Sequence, residues 1–249
     1  MRKIWIRGAV LLALWGLSPS PAFAGRPLIT EDAGTVEKGF FELELAADYF
    51  QENNADKNFI PSAQLAYGLT ERAEVAVASG YIFKDIHDDG REDGWADVVA
   101  YVKYRIWGEG TYYPAFTIKP QLKIPTASES KGLGSGKADY SLVAVFSKSF
   151  ERMNLHFNLG YTHIGKEGAM DELILALAAE YEVKKGLLAV GEIRGGPNLN
   201  SYFGDDPWNA LLGLQFQEGK VILDAAVYFG LNRAAPDYGF TAGITIKFQ

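Results

Sequence analysis

The stretch Phe240-Thr241-Ala242-Gly243-Ile244-Thr245-Ile246-Lys247-Phe248 places an apolar residue at every second position, with small, polar or charged residues between them and Gln249 after the last aromatic. Successive side chains of a β-strand point to opposite faces. One face of this strand therefore suits lipid and the other water, and an aromatic closes the lipid side. Strands that cross a bacterial outer membrane have this form.

The same alternation recurs along the chain. Phe41, Leu43, Leu45, Ala47 and Tyr49 form one apolar row, Ala73, Val75, Val77, Ser79 and Tyr81 another, and Phe116, Ile118, Pro120, Leu122 and Ile124 a third. Counting all such segments predicts an all-β fold, a transmembrane antiparallel β-barrel of about 12 strands. The segment Leu187 to Arg194 leaves its facing open: either Leu188 and Val190, or Leu187, Ala189 and Ile193, point outward. Short connections such as Gly68 to Arg72 and Lys184 to Gly186 alternate with longer loops, among them Lys84 to Gly94, Thr126 to Lys137 and Gly195 to Pro207. Short periplasmic turns and long outer loops are the habit of bacterial barrels. A soluble β-sandwich also alternates, but its turns do not sort into two length classes. Aromatics at strand ends, including Trp95, Trp107, Tyr140, Tyr161, Tyr181 and Phe229, supply the two interfacial girdles that a barrel carries.

The N-terminus reads as an export signal over residues 1–24. Arg2, Lys3 and Arg7 precede an apolar run from Gly8 to Leu17, and Ala22-Phe23-Ala24 is a small-x-small cleavage site. The apolar run falls short of the roughly 20 residues of a spanning helix. Residues 25–38 are then expected as an N-terminal periplasmic segment and 39–249 as the barrel, located in the cell outer membrane. Removing the leader leaves 21 Lys+Arg against 31 Asp+Glu, a net charge of −10 that argues against nucleic acid as a partner. The absence of cysteine excludes a disulfide framework and thiolate metal sites.

Two stretches carry a family resemblance. Arg26-Pro27-Leu28-Ile29-Thr30-Glu31-Asp32-Ala33, followed by Gly39, Glu42 and Glu44, resembles the opening of the outer-membrane transporter family of the meta-pathway of phenol degradation. Lys119-Pro120-Gln121-Leu122-Lys123-Ile124-Pro125-Thr126, followed by Gly132, Gly134, Gly136 and Asp139, is similar to that family's mid-chain pattern of a proline-threonine strand end and a glycine-rich loop. The resemblance implies a barrel that admits hydrophobic or aromatic small molecules. Gln249 beyond Phe248 departs from the many barrels that end on the aromatic itself.

The inward face should carry any chemistry. Glu42, Glu44, Glu74, Glu180, Glu182 and Asp224 are expected in the lumen, as are Lys103, Arg105, Lys119, Lys123 and Lys247. Acidic and basic groups fall on different strands, so their field could select a polar solute. Alternatively the charges pair and fill the interior. Leu28, Ile29 and Val36 of the N-terminal segment are candidates to tuck into the periplasmic mouth as a plug. Asn154, His156 and Asn158 share one inward face, with Ser141 and Ser147 on the neighbouring strand. That set raises an outer-membrane hydrolase as a third reading, although a serine triad needs its histidine oriented by a further group.

Two loops are set aside. Asp85, His87, Asp88, Asp89, Glu92 and Asp93 do not follow the spacing of a calcium loop, and read as a solvated acidic loop facing lipopolysaccharide. Gly132-Leu133-Gly134-Ser135-Gly136-Lys137 follows a proline and precedes a strand, so no helix N-terminus is available for phosphate; it reads as a flexible loop. The expected function is passive uptake of small molecules through a channel that works without cofactor, metal or catalytic residues. A closed barrel with a structural, adhesive or anchoring role is the alternative. Outer-membrane lipid, lipopolysaccharide, a small-molecule solute and the barrel insertion machinery are the expected partners.

Overall fold

The strands close into a ring. The computed structural model describes residues 25–52, 56–86, 90–196 and 206–249, so residues 1–24, His87, Asp88 and Asp89 lie outside the described part. Among the described residues there are thirteen strands: β1 (Phe41–Gln51), β2 (Lys57–Thr70), β3 (Ala73–Ile86), β4 (Gly90–Trp95), β5 (Val98–Trp107), β6 (Ala115–Ile124), β7 (Asp139–Ser149), β8 (Met153–His163), β9 (Glu172–Lys184), β10 (Leu187–Gly195), β11 (Trp208–Glu218), β12 (Val221–Gly230) and β13 (Tyr238–Phe248). Each ring strand pairs antiparallel with its neighbours, and β1 pairs with both β2 and β13, giving a closed twelve-strand barrel with one extra strand.

The extra strand corrects the expected loop from Lys84 to Gly94. β3 continues past the end of the wall and pairs with β4 from Tyr81↔Trp95 to Ile86↔Gly90, while its first half pairs with β5. β4 and β5 are one course of chain broken at Ala96 and Asp97. The loop reading failed because Gly90 to Gly94 carries Arg91, Glu92 and Asp93 and no apolar residue, so no apolar–polar alternation marks the strand. Outside the bilayer both of its faces meet water, and Asp85 pairs there with Arg91 at 3.3 Å.

The lipid face matches the alternation. Leu212, Leu177 and Leu214 are 64%, 56% and 53% exposed, which in a membrane is contact with acyl chains. Near the short-turn end, Phe41 packs on Tyr67 and Phe248, and Trp107, Phe116, Phe146 and Phe157 form a second run of ring contacts. Near the long-loop end, Tyr49 meets Phe240 and Tyr81 meets Trp95. Two aromatic belts are thereby assembled.

β10 resolves the facing that the sequence leaves open. Val190 and Glu192 are buried and Ile193 is half exposed, so Leu188, Val190 and Glu192 point inward and Leu187, Ala189 and Ile193 outward.

Residues 25–38, expected as a periplasmic segment, run inside the barrel. Leu28 joins Ala178, Val190, Leu211, Ala226 and Tyr228 in one apolar cluster, Ala33 joins Ala115, Val143 and Val145 in a second, and Val36 packs on Ala66, Ala76 and Tyr101 in a third. Ile29 instead stays 44% exposed. The segment leaves at the short-turn end, where Lys38 forms a parallel bridge with Gly68. A side chain on Gly68 would overlap the Glu37 and Val36 carbonyl oxygens, so glycine is required for so close a crossing.

Candidate functional site

The lumen residues named from the sequence are brought together by the segment that crosses between them. Arg26 heads the segment and lies against acidic wall: its guanidinium is 3.5 Å from Asp224 and 3.9 Å from Asp48, and it donates to Thr241. Gly243 leaves room for it, since a Cβ there would collide with Arg26 Nε. Gln215 reaches the carbonyl oxygens of Gly25 and Arg26. Glu192 Oε2 accepts the N–H groups of Ile29 and Thr30 at 3.0 and 2.8 Å.

The middle of the segment meets basic wall. Glu31 pairs with Lys119 and with Lys103 (3.3 Å), and Asp32 lies 3.7 Å from Lys103. Lys119 also sits 3.9 Å above the Tyr101 ring, adding a cation–π contact. Asn158 clamps the Glu31 backbone from one strand, accepting its N–H at 2.7 Å and donating to its carbonyl at 2.9 Å. Ala33 is held in the same manner by Ser147 and Thr117. The Val36 N–H donates to Glu74 at 2.5 Å. Side-chain amides, hydroxyls and carboxylates thus supply the bonds that a neighbouring strand would otherwise give to this segment's backbone.

The remaining expected residues form outlying groups. Lys123 pairs with Asp139 and Asp97 at 2.5 and 3.4 Å and donates to Ser135 at 2.9 Å. Asp97 also receives the Ala127 N–H, and Leu133 is buried, so the glycine-rich loop is tied inward and does not hang free. Glu42 pairs with Lys247 at 3.1 Å. Arg105 turns to the Glu71 carbonyl in the β2–β3 turn and takes no part in the central cluster. Glu44 lies near Gly25, and Glu182 is half-buried toward the short-turn end of β9. Among the described residues no group of three or more acidic or histidine side chains could hold a metal ion.

Ser147, His156 and Glu180 stand in a row beneath the segment. Ser147 Oγ is 2.8 Å from His156 Nδ1, and Glu180 is 3.5 Å from His156 Nε2 and accepts from Asn154 at 3.0 Å. The set has the composition of a triad. However, His156 and Glu180 are wholly buried and the Ser147 oxygen already accepts the Ala33 N–H, so no substrate carbonyl reaches it with the segment in place.

Sequence reasoning missed Arg26, Glu31, Asp32 and Glu192 as site residues. Three of them lie in an aperiodic segment, where no alternation points a side chain anywhere. The charge sequence itself was available: a cation followed by two acids, facing acidic and then basic wall.

Burial alone would raise the Glu31 carboxyl, but the charges of Lys119 and Lys103 outweigh it and hold it at about 2 against an ordinary 4.5. A carboxylate whose pKa is lower in the docked state stabilises docking fully above about 4.5, and that contribution is lost as pH falls toward 2. Channel openings in a planar bilayer should therefore become more frequent as pH falls below about 4.5. An unchanged record down to pH 2 would count against Glu31 as the latch.

A closed antiparallel ring with an apolar outer face, two aromatic belts and a charged interior is an outer-membrane β-barrel. The chain belongs to the family described as "Putative MetA-pathway of phenol degradation", whose model matches residues 24–248. A search of curated proteins finds no match. Among solved structures, the COG4313 outer membrane channel from Pseudomonas putida F1 superposes with a TM-score of 0.67 at 13% identity, covering 89% of this chain and 100% of that one. The NanC porin is similar at a TM-score of 0.62 and 10% identity, covering 83% of this chain and 100% of that one. The CymD monoaromatic hydrocarbon channel gives 0.52 at 10% identity, covering 85% and 88%.

Proposed function

We propose that this protein is a passive outer-membrane channel for small molecules, hydrophobic or aromatic ones included, and that residues 25–38 close it in the conformation described here. One observation carries the reading. The central lumen charges Lys103, Lys119 and Asp224 are met by a separate stretch of chain, which joins the wall at the short-turn end, rather than by one another across the wall. A barrel that is closed for good can fill its interior with wall side chains, whereas a tethered insert can leave through the mouth by which it is attached. Family membership and a fold shared with channels, among them the CymD monoaromatic hydrocarbon channel, support the same reading. Selectivity then comes from lumen charge, without cofactor, metal or catalysis, and the chain enters the membrane through the barrel insertion machinery.

The test compares full-length protein with a variant lacking residues 25–38, both refolded into liposomes, by the swelling rate in small sugars and in benzyl alcohol. Deletion is expected to raise the rate about ten-fold or more, as removal of a blocking state populated at 90% or above would. Equal and negligible rates in two correctly folded proteins would instead leave the closed structural barrel.

A further inference from the structure

On the long-loop side of the docked segment the lumen opens into a cavity of about 260 Å³, with Ile29 exposed on its floor. Its walls divide by chemistry. Ile174 and the rings of Phe50 and Tyr228, 5.3 Å apart, make an apolar side. Gly239 stands between those two residues in the register, paired with both, and a Cβ there would strike the Phe50 ring; glycine admits the aromatic pair.

The other side consists of donors. Arg194 and Asn209 are direct cross-strand partners on the inward faces of β10 and β11. Tyr228 stands diagonally beyond them and lines the same cavity, because it pairs with Leu211 two residues on from Asn209. Among the described residues, the side chains of Arg194, Asn209 and Tyr228 make no hydrogen bond or ion pair with the protein. Arg26, by contrast, pairs with Asp48 and Asp224 in the same lumen. Of the two nearby acids, Glu192 gives Oε2 to the segment's N–H groups and Glu172 is exposed at the rim. Solvent screens the latter.

We propose that this cavity binds a small organic carboxylate with an apolar, preferably aromatic, body. The guanidinium fork matches a carboxylate in plane and spacing, with Asn209 and Tyr228 as further donors, while the ring lies against Phe50, Tyr228 and Ile174. The proposal deepens the channel reading, on which its meaning for uptake rests, but occupancy is measured without flux.

The experiment is calorimetric titration of the full-length protein in detergent with sodium benzoate, and with acetate and benzyl alcohol as the headgroup and the ring alone. Benzoate should bind saturably and both fragments more weakly. Arg194→Met should weaken benzoate at least about ten-fold, the effect expected of losing a charge-assisted hydrogen bond, and leave benzyl alcohol unchanged. Arg194→Lys, which keeps the charge and loses the fork, should fall between. Absence of saturable benzoate binding by folded protein, or equal affinity in Arg194→Met, overturns the site. A barrel that binds benzoate but never passes solute would keep this site and remove the channel reading, and an open pore blind to benzoate would do the reverse.

Discussion

Full-length protein carrying Lys103→Glu and Lys119→Glu will conduct steadily in a planar bilayer where the unmodified protein is mostly shut. Lys103 is 5% exposed with Glu31 and Asp32 beside it, and Lys119 is 9% exposed against Glu31. Breaking a buried ion pair from one side costs roughly 3–5 kcal/mol because it strands a charge. Charge reversal goes further and sets like charges opposite each other. Felt by docking alone, that range would raise the undocked-to-docked ratio by about 10²- to several times 10³-fold. The same cost could fall on folding of the barrel, so the compensating variant is decisive. Adding Glu31→Lys and Asp32→Lys to the double reversal restores opposite signs and should restore closure. If the four-fold variant conducts as freely as the double one, the charges are not what seats the segment.

Replacing His156 with leucine is expected to lower the stability of the barrel wall. His156 and Glu180 are both wholly buried, 3.5 Å apart, with Asn154 and Ser147 completing the row. His156→Leu takes the ring from beside two buried polar side chains, Ser147 and Glu180, and leaves the Ser147 hydroxyl without it, at a cost of about 1–3 kcal/mol. Urea unfolding in liposomes, followed by the mobility of the folded barrel on gels, should show a midpoint lowered accordingly. The double variant His156→Leu/Glu180→Leu also removes the buried acid and should recover part of the loss. Equal midpoints for wild type and His156→Leu would show that the row is not a stabilising network.

The wall was legible because lipid outside and water inside force a two-residue period on every strand. Where one of those conditions lapses, so does the signal. In β10, Leu188 and Val190 point inward yet are apolar because Leu28 covers that part of the wall, and the contrast between faces disappears. In β4 the lapse is on the outer side: beyond the membrane Arg91 and Asp93 replace the lipid-facing row, and the strand looks like a loop. Lumen charges could be named from facing alone, but facing says nothing of partners. Lys103 and Lys119 find theirs more than seventy residues away in sequence, in a segment without period, and only the three-dimensional path of residues 25–38 brings them together. Ser147 and His156 could be paired from sequence, as occupants of facing positions on adjacent strands. The Ala33 N–H on Ser147, which closes that site, could not.

The closed pairing of β1 with β13 has a consequence for how the molecule is made. The stretch inside precedes the first strand, and its bonds reach from β13 and β12 on one side of the seam to β3 on the other. Zipping the last edge before that stretch is in place would enclose Lys103, Lys119, Asp224 and Glu192 without their counter-groups in a space nearly cut off from water, at a cost of several kcal/mol per stranded ion. The least costly order winds the wall around its own leading end, as cloth is wound on a mandrel. The part that shuts the finished pore would then also be the former on which the pore is shaped.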